Sequence, residues 1–152
     1  MKTAQYSHHF GGNVISPNIK EPLLNFIENL PFVIAPSTST ELRRTILDEL
    51  QNNQGWSNEV KIQYQQGLTI TSLKENVGLC IQTGNMSRFY ADLLKLQALF
   101  LKDKINSAIF MIPTKKAASI LGDNYAHSER LIRELQLFKH IITIPILVLS
   151  IE

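Results

Sequence analysis

Two side chains with chemical potential stand two residues apart in VGLCIQ, residues 77–82: the thiol of Cys80 and the carboxamide of Gln82. Strand alternation puts Val77, Leu79 and Ile81 on one face and Gly78, Cys80 and Gln82 on the other. Such a strand, turning sharply at Thr83-Gly84-Asn85 into a long helix, is a frame for a site. It is also how an ordinary packed sheet looks. Cys80 is the only cysteine and the four histidines are far from it in sequence, so a small buried residue explains it more simply than a nucleophile does. The adjacent His8 and His9 offer a metal pair but read better as part of a mobile, solvated segment. Lys61, Lys74, Arg88, Lys95 and Lys115 could contact a phosphate backbone. Taken singly, each equally suits a solvated surface, as do Arg43 and Arg44 on the exposed side of a helix. Phosphate-binding Gly-rich loops, GxGxxG, GxSxG and HExxH are all absent.

Periodicity supplies the elements that must position these groups. Residues 1–15 carry few signals beyond the turn-permitting Gly11-Gly12. Ser16-Pro17 opens a helical turn, and Pro22 suits the first turn of the helix that Leu23, Leu24, Phe26, Ile27 and Leu30 define before Pro31 stops it. Thr38 stands three before Glu41, a capping-box spacing, ahead of a second helix carrying Leu42, Ile46, Leu47 and Leu50. Trp56 should pack against a helix end. Val60, Ile62 and Tyr64, then Leu68 and Ile70, alternate as strands, and Lys74-Glu75-Asn76 turns the chain into Val77–Gln82. By the same parity Thr71 opposes the Leu68/Ile70 face, which sets Thr71 and Cys80 on one side of neighbouring strands with Gln82 beside them. Phe89, Leu93, Leu96 and Phe100 mark the long helix. Ser107–Ile112 is a strand buried on both faces. A short helix at Lys115–Leu121, a last helix from about Tyr125 to Phe138 and a strand over Ile141–Ile151, interrupted by Pro145, complete the chain. Two strand–helix–strand steps at the end imply an α/β fold: a mixed central β-sheet with parallel members, flanked by helices on both faces.

Composition narrows the class. The 152 residues suit one domain, and 44% hydrophobic against 18% charged residues excludes disorder. A net charge of +2 neither announces nor excludes a nucleic-acid partner. No apolar run approaches the ~18 residues of a membrane span and no signal region opens the chain, so a soluble, cytoplasmic protein without a membrane partner is expected.

The order of elements, with polar side chains at i and i+2 on the second strand of a hairpin, resembles the restriction-endonuclease-like PD-(D/E)xK nuclease core. Within it the chain resembles one branch, the BglII- and BstYI-type restriction endonucleases, which have Glu-x-Gln where most relatives have Glu-x-Lys. The resemblance runs from about Val60 to Glu152 through LTITSLKENVGLCIQTGN, RFYADLLKLQALF, SAIFMIPT and AHSERLIRELQLFKHIITIPILVLSIE, and includes the Gln-x-x-Asn phrase of Gln82 and Asn85. Before residue 60 it rests on a helix ending in Leu30-Pro31. In this family two strand acids hold Mg²⁺ and a third side chain helps position the attacking water. Carried over by position, Gln82 stands where the family's Gln belongs, Cys80 where its Glu belongs and Thr71 where its Asp belongs. A thiol is a soft ligand and a hydroxyl brings no charge, so no metal ligands remain among the three.

The resemblance therefore implies a single restriction-endonuclease-like domain over residues 1–152 with three open functions. The favoured one is a protein that binds double-stranded DNA, or a partner subunit, without cutting, with Arg88, Lys95, Lys61, Lys74 and Asn85 as contacts; the resemblance implies a homodimer for this reading and the next alike. The second is an active type II enzyme whose metal site is remodelled around Glu75, Asp92, Glu21 or Glu28. The third is an interaction module retaining only the fold. No cofactor is expected, and Mg²⁺ enters only under the second.

Overall fold

The computed structural model describes residues 1–62 and 67–152. Its elements are β1 (Thr3–His8), α1 (Gly11–Val14), α2 (Pro17–Asn29), α3 (Ser39–Asn53), β2 (Val60–Lys61), β3 (Thr69–Ile70), β4 (Ser72–Lys74), β5 (Val77–Ile81), α4 (Arg88–Leu101), β6 (Ser107–Pro113), α5 (Lys115–Leu121), α6 (Ser128–Leu137) and β7 (Ile146–Ile151). Five strands form one sheet in the order β1-β7-β6-β5-β4, while β2 and β3 pair separately. β5, β6 and β7 run parallel, and β1 and β4 close the two edges antiparallel. Gln63 and Tyr64 of the expected strand alternation, and Gln66 of the expected interruption, lie outside the described residues.

The continuous apolar run at Ser107–Ile112 ends up at the centre of the sheet, with every residue of β6 buried. Helices on both sides demand this, since neither strand face meets water. Ile109 and Met111 join Leu79, Leu147 and Leu149 against Ile19, Leu23 and Ile27 of α2 and Leu42, Ile46 and Leu50 of α3, with Trp56 in the same cluster. Ala108, Phe110 and Ile112 face the other way, joining Cys80, Ile146 and Val148 against Phe89, Leu93 and Leu96 of α4 and Leu131 and Leu135 of α6. α4 packs so closely on β5 that a Cβ at Gly78 would stand 3.0 Å from both Leu96 and Ile105. The buried Gln97 of α4 fixes the approach to β7: its Oε1 accepts the Thr143 and Ile144 amides and its Nε2 donates to the Thr143 hydroxyl.

Several local expectations are corrected. The first fifteen residues are ordered: Thr3–His8 pairs with β7 residue for residue. As an edge strand it keeps polar side chains and shows no apolar alternation of its own. His8 is consequently not solvated; it is 4% exposed, with Nε2 bonded to the Ile142 carbonyl at 2.7 Å. Its neighbour His9 bonds the Lys139 carbonyl at 2.7 Å, so the two rings tie β1 to the segment after α6. Pro22 lies inside α2, which already starts at Pro17; its missing donor is tolerated because Ile19, Leu23 and Ile27 anchor the helix on the sheet. The capping box is not formed: the Thr38 hydroxyl bonds the Ala35 amide and carbonyl instead. Pro145 precedes β7 rather than interrupting it, and its carbonyl accepts the Ala108 amide at 2.9 Å. A strand beginning after the proline loses no ladder donor, which is why β7 can occupy an interior position.

Candidate functional site

A cleft of about 540 Å³ opens where α3, β3, the end of β5 and α4 meet, lined by residues that include Thr71, Gln82, Arg43, Arg88, Asp92 and Lys95. Ile81 and Gln82, where the second strand of the hairpin ends, line it. β4 and β5 pair with Ser72 opposite Leu79 and Lys74 opposite Val77, and the two-residue turn puts Glu75 at φ 51°.

Thr71 does not extend β4. The chain bends there, so alternation does not carry through it, and Ile70 is enclosed with Cys80 and Leu93 rather than with Leu79. This corrects the parity expected from the sequence, which had placed Ile70 on the Leu79 side. The Thr71 hydroxyl accepts the Ile81 amide at 3.1 Å and Arg43 Nη2 at 3.3 Å. Cys80 is 1% exposed. Burial pushes its thiol far above the ordinary value, and the Asp92 charge raises it further, outweighing the nearby Thr71 amide, Lys95 and Arg43. A thiol held protonated is neither a nucleophile nor a ligand.

Gln82 is occupied at both ends of its amide: Nε2 donates to Asp92 Oδ2 at 2.7 Å, and Oε1 accepts the Gly84 amide at 3.0 Å. Asp92 is held further by Lys95 Nζ at 3.0 Å. Arg88 is exposed at the start of α4, whose first turn carries no acid. Asn85 accepts the Ser87 amide and hydroxyl, both at 2.9 Å, and so shapes the entry into that helix. Lys61 is exposed on β2. Lys74 turns away, its Nζ donating to the Gln54 carbonyl at 2.6 Å. Lys115, Glu75, Glu21 and Glu28 do not line the cleft; Glu28 instead accepts the Thr3 hydroxyl at 2.6 Å.

The residue that sequence reading misplaced is Arg43. It is half-buried rather than on the exposed side of α3, and its guanidinium donates to the Ile81 carbonyl and the Thr71 hydroxyl. Burial lowers its pKa, partly opposed by the fields of the Asp92 and Glu59 carboxylates. Its one-residue offset from Leu42 on the apolar stripe was the available signal: a long side chain beside a buried position reaches the rim of the sheet. Glu59, another cleft residue, had no signal in the sequence.

The divalent cation that the resemblance implies does not suit these groups. Thr71, Cys80 and Gln82 supply no anionic oxygen, a guanidinium stands among them, and Asp92 is already paired. Among the described residues, no three His, Cys, Asp or Glu side chains converge to hold a metal.

Residues 4–151 match the family model described as restriction endonuclease BglII/BglIII, and the chain belongs to that family. No curated protein matches it. Its fold is that of the restriction endonuclease BglII solved in complex with a DNA 16-mer, at a TM-score of 0.88 and 13% identity over 100% of this chain and 78% of that one. Free BglII is similar at a TM-score of 0.80 and 15% identity, covering 100% and 80%.

Proposed function

We propose that this member of the BglII/BglIII restriction endonuclease family binds double-stranded DNA and does not cleave it with Mg²⁺. The observation that carries the reading is the cleft itself: Arg43, Arg88 and Lys95 line it beside the neutral Thr71, and neither Thr71 nor the buried Cys80 brings the acid expected at its position. Phosphate meets less repulsion at such a surface, and the cations supply the salt-dependent affinity of non-specific binding. Plasmid cleavage in Mg²⁺ and in Mn²⁺, run beside a gel shift at low salt, tests it; retention without nicking is expected. Asp92 is the one acid of the remodelled-enzyme reading that lines the cleft. Mg²⁺-dependent cutting abolished by Asp92→Ala would establish that reading instead, and no retention of duplex at low salt would leave only an interaction module.

The working unit is a homodimer. Support comes from the apolar face of α4 and α6, where Leu94 and Leu137 are 60% and 73% exposed. Leu94 and Ile141 line one apolar groove there with Tyr90 and Phe138. Sedimentation velocity should show a dimer that Leu94→Lys dissociates, because a buried charge at an interface centre is costly.

A further inference from the structure

The cleft carries a cation of its own. Arg43 commits two N–H donors inside the protein, to the Ile81 carbonyl and to the Thr71 hydroxyl. One oxygen is the side chain of Thr71, where the resemblance puts a metal-binding acid, and the other is the carbonyl of Ile81, the residue after Cys80, where it puts the second. They fix the guanidinium much as an oxygen shell fixes a metal, and leave the rest of its planar fork for a ligand.

Asp92 and Glu59 act on this charge only at a distance. Among the described residues no carboxylate lies within ion-pair distance of Arg43, and residues 63–66 contain no acid. Asp92 is taken by Lys95 at 3.0 Å and by Gln82 at 2.7 Å. Glu59 lines the cleft but is exposed to water. A half-buried guanidinium without a directly paired carboxylate has lost hydration and gained no bonded anion in return. Arg88, exposed on the same cleft, adds a second fork within the acid-free first turn of α4.

We infer that Arg43 takes the place of the divalent cation at the head of the cleft and receives a single backbone phosphate of duplex DNA, with Arg88 as an outer contact. The inference rests on the DNA-binding reading above and names the group that makes it work. A guanidinium offers a phosphate two parallel charge-assisted hydrogen bonds. It cannot generate hydroxide from a bound water as a metal does, so the same substitution that preserves phosphate binding removes the hydrolytic step.

Fluorescence anisotropy of a labelled duplex with the full chain, over a series of NaCl concentrations, tests this. Arg43→Gln should weaken binding to every sequence about tenfold and lower the slope of log affinity against log salt by about one. Arg43→Lys should restore the slope but only part of the affinity, because a point charge replaces a fork. Arg44→Gln, on the exposed side of α3, should behave as wild type. At matched ionic strength, Mg²⁺ should leave wild-type binding unchanged. Equal affinity and slope in Arg43→Gln, or stimulation of the wild type by Mg²⁺, would overturn the inference while leaving DNA binding in place. Failure of the wild type to bind at low salt would overturn the underlying reading and this one with it. If Arg43→Gln does not fold, Arg43→Lys and the Mg²⁺ comparison on the wild type decide.

Discussion

Building a metal site in this cleft should require removing a side chain as well as adding two. Thr71→Asp introduces a carboxylate where a hydroxyl already accepts the Ile81 amide at 3.1 Å and Arg43 at 3.3 Å. Both donors bind an anion more strongly than a neutral oxygen, so this change should fold well. The introduced carboxyl group, stabilised in its charged form by Arg43, should titrate below the usual value of about 3.9. Its contribution to stability is then present above that value and lost as pH falls through the lower folded pKa. Cys80→Glu is harder, since position 80 is 1% exposed among Phe89 and Leu93. Overpacking alone costs about 1–3 kcal/mol, and the new charge is tolerable only against Arg43. In the double variant both carboxylates are therefore spent on the guanidinium. A pair about 4 Å apart at an effective dielectric of about 20 gains about 4 kcal/mol. Arg43 is only partly buried, and solvent screening reduces this to about 2 kcal/mol. Mg²⁺ must displace that interaction, a penalty of roughly thirtyfold in affinity. Calorimetric titration with Mg²⁺ should thus find weak binding in Thr71→Asp/Cys80→Glu and about thirtyfold tighter binding once Arg43→Ala is added. Equal affinity in the double and triple variants would show that Arg43 does not compete with Mg²⁺ for these carboxylates.

Two further outcomes follow from buried polar groups. Gln97→Leu leaves the Thr143 and Ile144 amides without their acceptor and should cost about 2 kcal/mol, measured as a lower urea midpoint with an unchanged slope. Burial holds His8 below the ordinary value of 6.5, outweighing its bond to Ile142, with His9 adding to the depression. The unfolded chain therefore binds the extra proton first, so this contribution is complete above about pH 6.5 and declines as pH falls towards the folded pKa. Thermal melts of His8→Gln should lose that part of the acid slope; an identical slope would exclude His8 as its source.

Much of this protein is determined locally. The alternation of Ile109 and Met111 against Ala108, Phe110 and Ile112 fixes which face each side chain takes, and with it the two-sided burial of β6. The stripes of α2, α3 and α4, the hairpin turn at Glu75-Asn76 and the family's pattern of elements are legible for the same reason: periodicity holds inside a continuous element. That positions 71 and 80 carry no carboxylate is equally plain in the sequence. Tertiary structure decides what happens where continuity ends. β1 has no apolar pattern and exists because β7 offers it an edge. The bend at Thr71 breaks the parity that would place Ile70 with Leu79, and Pro145 matters only through the strand it precedes. Arg43 looks like one more exposed charge on a helix, yet it reaches across to Ile81 and Thr71. Spacing along a chain sets the face from which a side chain departs, but the destination of a long one depends on which neighbours the fold brings within its reach.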